Sequence, residues 1–417
     1  MEKLALYGGE KVKTTPYGTG RRYGDEELAS LKSALDQNTL FYVSGAAQKG
    51  KEVVAKMKEM YSVPYAVACS SGTAAIHVAL GALGISAGDE VITTPVTDMG
   101  TIIGILAQNA IPVFADIDPH NYNLDPVSVE KCVTEKTKAI IAVHLAGNPC
   151  DMDAIMEIAR RHNLKVIEDC AQAHLAKYKG RLVGTIGDMG CFSFNEFKQL
   201  SAGDGGMVVM KEEDLYYRAH RFADKNYNRF GGEMRKIPFL APNYRMNETT
   251  AAVVSAQMDK GSEICAKYHA YGEGLTAGLK EIAGIAPMKV LPDCYSTYLW
   301  YLYRVDLDAL GVDLDTYIQA LNAEGILAFK GYIAECVYEY DMFKNLEGYP
   351  GTNCPFNCPY HGDKKIEYKT GIAPVAEEVL KTSVRLLVNN FYTEEDLKET
   401  VAAVKKVTEY FVENNKK

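Results

Sequence analysis

The sequence predicts an α/β protein, in which a large domain built on a mostly parallel β-sheet is followed by a smaller C-terminal α+β domain. Short β-rich runs alternate with helix-like segments between about residue 26 and residue 210. Such alternation implies crossover helices on both faces of the sheet, and therefore a domain of three layers, helix–sheet–helix (αβα). Beyond Gly205-Gly206 and the strand that follows, the alternation stops, which indicates a second domain.

Hydrophobic spacing predicts the elements of the large domain. Ile76, Leu80 and Leu83 recur at helical spacing after Thr73, and short apolar runs rich in β-branched residues indicate strands. The predicted helices lie at 26–37, at 46–61, from Thr73 onward, at 101–109 and at 151–162. The predicted strands lie at 65–69, 90–94, 111–115, 139–144, 165–169 and 207–210.

The chain after residue 210 has a different character. A polar stretch rich in Arg and Tyr covers 216–245. The run at 298–307 alternates as an antiparallel strand does. The boundary is predicted near 255–285, which gives a large domain at 1–270 and a small domain at 271–417. The other predicted features are helices at 247–259, 262–282 and 393–412, and a Pro- and Gly-rich loop at 348–363.

Charge and composition exclude several kinds of partner. The chain has 45 Lys+Arg against 54 Asp+Glu, a formal net charge of −9, whereas nucleic acids and anionic membranes call for clustered cations. Neither partner is expected. The sequence also lacks a spanning apolar segment and a secretory signal, so we expect a cytoplasmic protein. Its 10 cysteines are not a disulfide framework in a chain of 417 residues.

In open α/β sheets, ligands bind at the carboxyl ends of the strands. The first loop there is Ser70-Ser71-Gly72-Thr73, which leads from a strand into a helix. A helix N-terminus attracts anions, and Gly72 would let a phosphate approach the backbone. The alternative is an ordinary helix cap provided by Ser71.

The second loop contains Glu168-Asp169 at the end of a predicted strand. Neighbouring strand residues face opposite ways, so at most one of these carboxylates faces a common ligand. A buried carboxylate needs a cationic or hydrogen-bonding partner, and a protonated pyridine nitrogen is one such partner. A structural ion pair explains the pattern equally well.

The third loop follows the run Gly190-Cys191-Phe192-Ser193 and contains Lys198, a lone lysine among aromatic and small residues. Burial would lower the pKa of this amine and make it a nucleophile able to form a Schiff base. The alternative is a solvated lysine.

Together the three loops offer a phosphate site, an acid for a pyridinium nitrogen and an amine for an aldehyde, the protein side of a pyridoxal phosphate (PLP) site. The sequence resembles the DegT/DnrJ/StrS family of fold-type-I PLP-dependent sugar and cyclitol aminotransferases. The resemblance runs through nearly the whole chain and keeps the motifs in order: SSGTAAIHVAL, GDEVITTP, PVFADIDPHNYNLDP, EDCAQAH, YKGRLVGTIGD, CFSFNEFKQLSAGDGGMVV, APNYRMNE and FYTEEDL.

The resemblance implies catalytic roles for two residues. Lys198 would form the Schiff base and then move the proton between the amine carbon and the aldehyde carbon. Asp169 would pair with the pyridine nitrogen, and Gln172 resembles the family residue near the phenolic oxygen of the cofactor.

Four further residues match the phosphate ligands of the family. Gly72, Thr73 and Ser193 would hold the phosphate of their own subunit. Asn243, in the NYRM segment, would reach the phosphate of the neighbouring subunit. The resemblance therefore implies a homodimer with two shared active sites.

The chain departs from the family pattern at two places. Many relatives have an aromatic residue stacked on the pyridine ring where this chain has Asp98-Met99, so either of these residues, or one from elsewhere, would cover the ring. Leu175 stands where relatives have glycine, which is expected to narrow the space beside His174.

The segments TDMG, EDCAQAH and GYIAECVY resemble those of glutamine-dependent inosose aminotransferases. This implies L-glutamine or L-glutamate as amino donor and a keto-cyclitol or keto-sugar as acceptor. Asn228, Arg229 and Arg235 are expected to bind anions and hydroxyls of the acceptor. A compact acceptor is expected, because the two phosphates of a nucleotide diphosphate would need more positively charged residues to bind them.

Three alternatives stay open: an aminotransferase for nucleotide-linked keto-sugars, a PLP-dependent sugar dehydratase, and a regulator without catalysis. The related dehydratases have histidine in place of the lysine, so Lys198 argues against the second. The complete set of Lys198, Asp169, Ser193 and Asn243 argues against the third.

Other polar and aromatic clusters favour structural interpretations. Cys354, Cys358 and His361 fall short of the four ligands of a structural zinc site, so no metal is predicted. The aromatic residues of the 298–307 run are expected to divide between the core and the site entrance. Solvated surface is expected, ahead of an anion site, for four arginines: Arg21, Arg22, Arg218 and Arg221.

Overall fold

The computed structural model describes residues 2–42, 45–362 and 365–415. The strands are β1 (Tyr65–Cys69), β2 (Glu90–Thr93), β3 (Ile111–Phe114), β4 (Thr137–Val143), β5 (Lys165–Asp169), β6 (Lys177–Tyr178), β7 (Arg181–Leu182), β8 (Met189–Ser193), β9 (Gly206–Met210), β10 (Ile285–Pro287), β11 (Trp300–Val305), β12 (Ala328–Lys330) and β13 (Ser383–Leu387).

The helices alternate with these strands in the first half of the chain. They are α1 (Asp25–Asp36), α2 (Lys49–Tyr61), α3 (Gly72–Leu83), α4 (Met99–Ala107), α5 (Pro126–Cys132), α6 (Met152–His162), α7 (Glu213–Ala223), α8 (Glu248–Asp259), α9 (Gly261–Leu279), α10 (Leu307–Leu310), α11 (Leu314–Ala323), α12 (Asp341–Lys344), α13 (Pro374–Thr382) and α14 (Glu394–Asn415). In the described part of the chain, no helix is long and apolar enough to cross a membrane.

Seven strands form the central sheet, in the order β1-β9-β8-β5-β4-β2-β3. Only β9 runs against its neighbours, β1 and β8, and the remaining pairings are parallel. The loop at 194–205 joins β8 to β9 without a crossover helix, so the chain turns back antiparallel. The predicted mostly parallel sheet is confirmed, and the one reversed strand follows the loop that carries Lys198.

Helices cover both faces of this sheet, as predicted. On one face, α3 and α7 pack on the side chains of Ile141, Ile167 and Val208. On the other face, α2, α6 and α8 pack on Ile140, Val166 and Val209, which are the residues adjacent to those three along the same strands. The alternation of buried residues along each strand therefore separates two cores.

The smaller unit has an antiparallel sheet in the order β10-β11-β13-β12. Its core includes α14, α11 and much of α9, and Leu4 from the N-terminal segment joins it. Residue 270 falls within α9. The division into 1–270 and 271–417 stays a prediction.

Capping shifts several predicted helix starts. The helix predicted from 46 begins at Lys49, because the Glu248 carboxylate accepts hydrogen bonds from the N–H groups of Lys49 and Gly50 (both 2.8 Å). The helix predicted from 101 begins at Met99, because Asp98 caps Gly100 N at 2.8 Å.

Six of the described helices went unpredicted: α5, α7, α10, α11, α12 and α13. Of these, α7 occupies part of the polar stretch, and α5 was missed although Asp125 caps it and Pro126 opens it. The last residue of the predicted loop at 348–363 lies outside the described residues.

Candidate active site

The three loops meet at the carboxyl edge of the central sheet. A Cβ placed on Gly72 would lie 2.7 Å from Ser193 Cβ and 3.0 Å from Ser193 Oγ, so the start of α3 and the end of β8 are in close contact. Gly100 is similarly close to Thr73 Oγ1, at 2.7 Å from its hypothetical Cβ. The structure thus brings together three of the four residues predicted to hold a phosphate, Gly72, Thr73 and Ser193.

The first loop, at residues 70–73, has features of both interpretations, the helix cap and the anion site. Ser71 is the cap of α3, and its hydroxyl accepts from Ala74 N at 3.0 Å. Gly72 and Thr73 are the first two residues of that helix, so their N–H groups lie outside its internal hydrogen bonding. Capping and an anion-attracting helix end therefore coexist here.

Asp169 is 4% exposed at the end of β5. Its carboxylate accepts from Thr101 Oγ1 at 2.8 Å and from Ala171 N at 3.0 Å. Burial raises the pKa of Asp169, while these hydrogen bonds and the positive charge of Lys198 oppose that rise. A cation bound nearby would hold this carboxylate in its charged form.

Glu168 faces the opposite side of the sheet and has a structural role. Its carboxylate accepts from the N–H groups of Gly184 (2.8 Å), Ile186 (2.6 Å) and Gly187 (2.7 Å), and from His144 Nε2 (3.1 Å). Although burial acts to raise the pKa of Glu168, these hydrogen bonds leave it below the usual value. The structural explanation therefore applies to Glu168, and Asp169 is the carboxylate that can face a ligand.

Lys198 lies in the loop at 194–205, where its backbone N–H donates to Asn195 O at 2.9 Å. Burial lowers the pKa of its amine, whereas the negative charges of Asp169 and Asp98 act to raise it. The amine of Lys198 therefore loses its proton more readily than that of a solvated lysine.

Gln172 links the site to the smaller unit. Its Oε1 accepts from Ala146 N at 2.8 Å, and its Nε2 donates to the Tyr332 hydroxyl at 2.9 Å. Burial raises the pKa of Tyr332. Sequence reasoning did not assign Tyr332 to the site, although it lies in the GYIAECVY segment that carries the resemblance.

His174 supports the end of β8. Its Nε2 donates to Ser193 O at 2.8 Å, and burial lowers its pKa to about 4, so it is neutral at pH 7. The adjacent Leu175 has φ of +59°, a backbone conformation that glycine adopts without strain. Its side chain packs against the core that contains Tyr61, whose hydroxyl accepts from Leu175 N at 3.0 Å.

Three further predicted site residues, Asp98, Met99 and Asn243, have no hydrogen bond to Lys198 within the described residues. Asp98 is exposed at the cap of α4, and Met99 opens that helix partly buried. Asn243 is exposed and forms an isolated bridge with Asp224. The assignment of the residue that covers a cofactor ring stays open among Asp98, Met99 and a residue from elsewhere in the chain.

Two of the residues expected to bind the acceptor, Asn228 and Arg229, have hydrogen-bond partners within this chain. Arg229 Nε donates to Asp224 Oδ2 at 2.8 Å, and Arg245 also pairs with that buried carboxylate. Asn228 Nδ2 donates to Gly231 O. Arg229 therefore neutralises the buried Asp224 carboxylate, and the expected binding of acceptor groups by Asn228, Arg229 and Arg235 stays a prediction.

Two expected surface arginines make specific contacts with the backbone. Arg221 Nη2 donates to Lys236 O at 3.1 Å, and Arg22 Nη2 donates to Lys198 O at 3.0 Å. In the 298–307 run, Tyr301 and Tyr303 are buried in the core, whereas Trp300 is half-buried beside Arg385, with 5.1 Å between the guanidinium carbon and the ring centroid.

A partly buried amine within the electrostatic influence of a buried carboxylate, at the strand ends of an αβα domain joined to a small α+β unit, places this chain among the aminotransferases. Residues 22–363 match the DegT/DnrJ/EryC1/StrS aminotransferase family, and the chain belongs to it. The resemblance predicted from the motifs is confirmed.

Relatives and solved structures agree with this membership. A Micromonospora echinospora protein provisionally named L-glutamine:3-amino-2,3-dideoxy-scyllo-inosose aminotransferase is 38% identical over 332 residues, covering 78% of each chain. The L-glutamine:2-deoxy-scyllo-inosose aminotransferase of Streptomyces lividus is 35% identical over 338 residues, 78% of this chain and 79% of that one. A solved aminotransferase from Psychrobacter cryohalolentis has a TM-score of 0.82 and 32% identity, covering 95% of this chain and 100% of that one.

Proposed function

We propose that this aminotransferase uses PLP to transfer the amino group of L-glutamine or L-glutamate to a keto-cyclitol or small keto-sugar. The observation that carries the proposal is the partly buried Lys198 amine in the loop after β8, which lies within the electrostatic influence of Asp169 and Asp98. The names of the two inosose aminotransferase relatives support the donor and the acceptor class.

The residues present fit the cofactor. Gly72 leaves open the space that a side chain would fill against Ser193, and together with Thr73 it provides a helix N-terminus for a phosphate. Asp169 would hold the pyridine nitrogen protonated. When bound, PLP supplies an aldehyde for the amino group and a ring that stabilises negative charge on the adjacent carbon.

The remaining work falls to Lys198. A neutral amine accepts a proton from the donor carbon and returns it to the aldehyde carbon, so the lowered pKa caused by burial favours the active form. Gln172, held by Ala146 and Tyr332, would orient the phenolic oxygen.

The two half-reactions test the donor and the acceptor separately. L-Glutamine or L-glutamate is expected to bleach the visible absorbance of the PLP-loaded enzyme, and a keto-cyclitol or small keto-sugar is expected to restore it. Restoration only by nucleotide-linked keto-sugars would favour the alternative acceptor class. Bleaching by alanine or aspartate alone would refute the donor.

We also propose a homodimer with shared sites. Large apolar side chains are exposed close in sequence to two of the predicted site residues: Phe197 (70%) precedes Lys198, and Leu240 (91%) lies three positions before Asn243. Exposure of these side chains to water is unfavourable, and contact with a second copy of the chain would cover them.

Hybrid dimers test this assembly. Lys198→Ala and Asn243→Ala variants, each inactive, are mixed under conditions in which subunit exchange is shown with a mass-labelled copy. One intact site per hybrid is expected to restore part of the activity. Exchange without any return of activity would refute a role for Asn243 across the interface.

All 10 cysteines are free thiols. Such a set is typical of proteins kept in a reducing compartment, so we place the reaction in the cytoplasm.

A further inference from the structure

The N-terminal segment ends against the loop of Lys198. The Arg22 side chain is 20% exposed, and its Nη2 donates to the backbone oxygen of Lys198 at 3.0 Å. Its Nη1 donates to the backbone oxygen of Glu196 and lies 3.7 Å from the carboxylate of that residue. The planar fork of one guanidinium therefore holds two carbonyls of the lysine loop.

The next residue extends this contact. The Tyr23 hydroxyl donates to Glu196 Oε2 at 2.7 Å and lies 2.9 Å from Ser201 Oγ. Ser201 Oγ also donates to Glu196 Oε2 at 3.2 Å. Arg22 is itself held, because its backbone oxygen accepts from Gln257 Nε2 at 3.1 Å. The lysine loop is thus fixed on both sides of Lys198.

The same segment is anchored in the smaller unit. Lys13 is buried, and its amine contacts Asp396 Oδ1 at 2.6 Å and Glu399 Oε2 at 2.7 Å, both on α14. Gly18 N donates to Asp396 Oδ2 at 3.0 Å. Residues 13–23, the N-terminal strap, therefore run from α14 to the lysine loop.

We propose that Arg22 is a positioning residue that fixes the backbone of Lys198 and thereby sets where its amine can reach. The lysine side chain turns about flexible bonds, so the position of its amine depends on the position of its main chain. A displacement of about 1 Å at a reacting group costs roughly a hundredfold in rate. The proposal rests on the proposed function for the identity of the reacting group.

The neighbouring Arg21 provides a matched control, because it carries the same charge, is exposed and lies outside the hydrogen bonds described above. The primary measurement is made on the apo protein. Hydrogen exchange of residues 195–201 is expected to accelerate in Arg22→Ala and to be unchanged in Arg21→Ala.

The second measurement is the rate at which apo protein links PLP to Lys198, trapped with borohydride and mapped by mass. In Arg22→Ala this rate is expected to fall by about tenfold or more, and in Arg21→Ala to stay within about twofold. Arg22→Lys keeps the charge but reaches one carbonyl, so about a threefold loss or more is expected.

Wild-type exchange and linkage rates in Arg22→Ala would overturn the proposal, as would an equal loss in Arg21→Ala. Should Arg22→Ala fail to fold, a wild-type rate in Arg22→Lys overturns it by itself. If the wild-type protein forms no link on Lys198, the proposed function fails, and the exchange measurement still decides whether Arg22 holds the loop.

Discussion

The variant Gly72→Ala tests the predicted phosphate site by adding one methyl group within it. Gly72 lies in a helical turn, where alanine is favourable for the backbone, so the only cost is steric. The new Cβ would lie 2.7 Å from Ser193 Cβ, whereas ordinary contacts begin at 3.4 Å. Either the start of α3 or the end of β8 has to move by several tenths of an ångström.

Overpacking of this kind costs about 1–3 kcal/mol. Since both moving groups are predicted phosphate ligands, the dissociation constant of PLP is expected to rise roughly 5- to 150-fold. The assay is titration of the apo protein with PLP, with unfolding of the apo protein followed in parallel. Gly45→Ala is the control, because a Cβ at Gly45 meets nothing within 4 Å.

A double variant separates strain from binding. Adding Ser193→Gly to Gly72→Ala removes the atoms that clash, so stability is expected to return while PLP affinity stays low, because Ser193 is also lost. Normal affinity in Gly72→Ala, with its stability reduced, would contradict the assignment of the phosphate site.

Two further predictions concern Asp169 and His174. Asp169→Asn is expected to retain PLP but to lose about a hundredfold or more in turnover, because a neutral amide does not stabilise a pyridinium; near-normal turnover would move that role elsewhere. Burial lowers the pKa of His174 from 6.5 to about 4. The unfolded state therefore binds one more proton between these pH values, and the free energy of unfolding is expected to fall by about 3 kcal/mol on acidification from pH 6.5 to 4. Subtracting the pH profile of His174→Asn should isolate this component, and identical slopes in the two proteins would refute it.

Where the sequence pattern is strong, the fold was predictable. The strands β1 and β5 have the predicted limits of 65–69 and 165–169, because each is a short run that ends at a polar turn. The helix α5 was missed, because only Val129 of its seven residues is buried, too few to form an apolar stripe.

The site was predictable where its residues lie in local motifs. Asp169 ends a strand, whereas Gly72 and Lys198 each lie in a segment that follows one, and the topology alone brings such positions to one edge of the sheet. Tyr332 and Arg22 were not predictable, because their contacts with Gln172 and Lys198 join residues 160 and 176 positions apart. Such contacts depend on how the smaller unit and the N-terminal strap pack against the sheet.

The identity of the lysine that carries the cofactor is the most direct test of this account. Protein loaded with PLP is reduced with borohydride, digested and mapped by mass spectrometry, beside Lys198→Ala treated in the same way. We predict one labelled peptide, modified at Lys198, and loss of both the label and the visible absorbance in the variant. Label on any other lysine, or unchanged absorbance in Lys198→Ala, would contradict it.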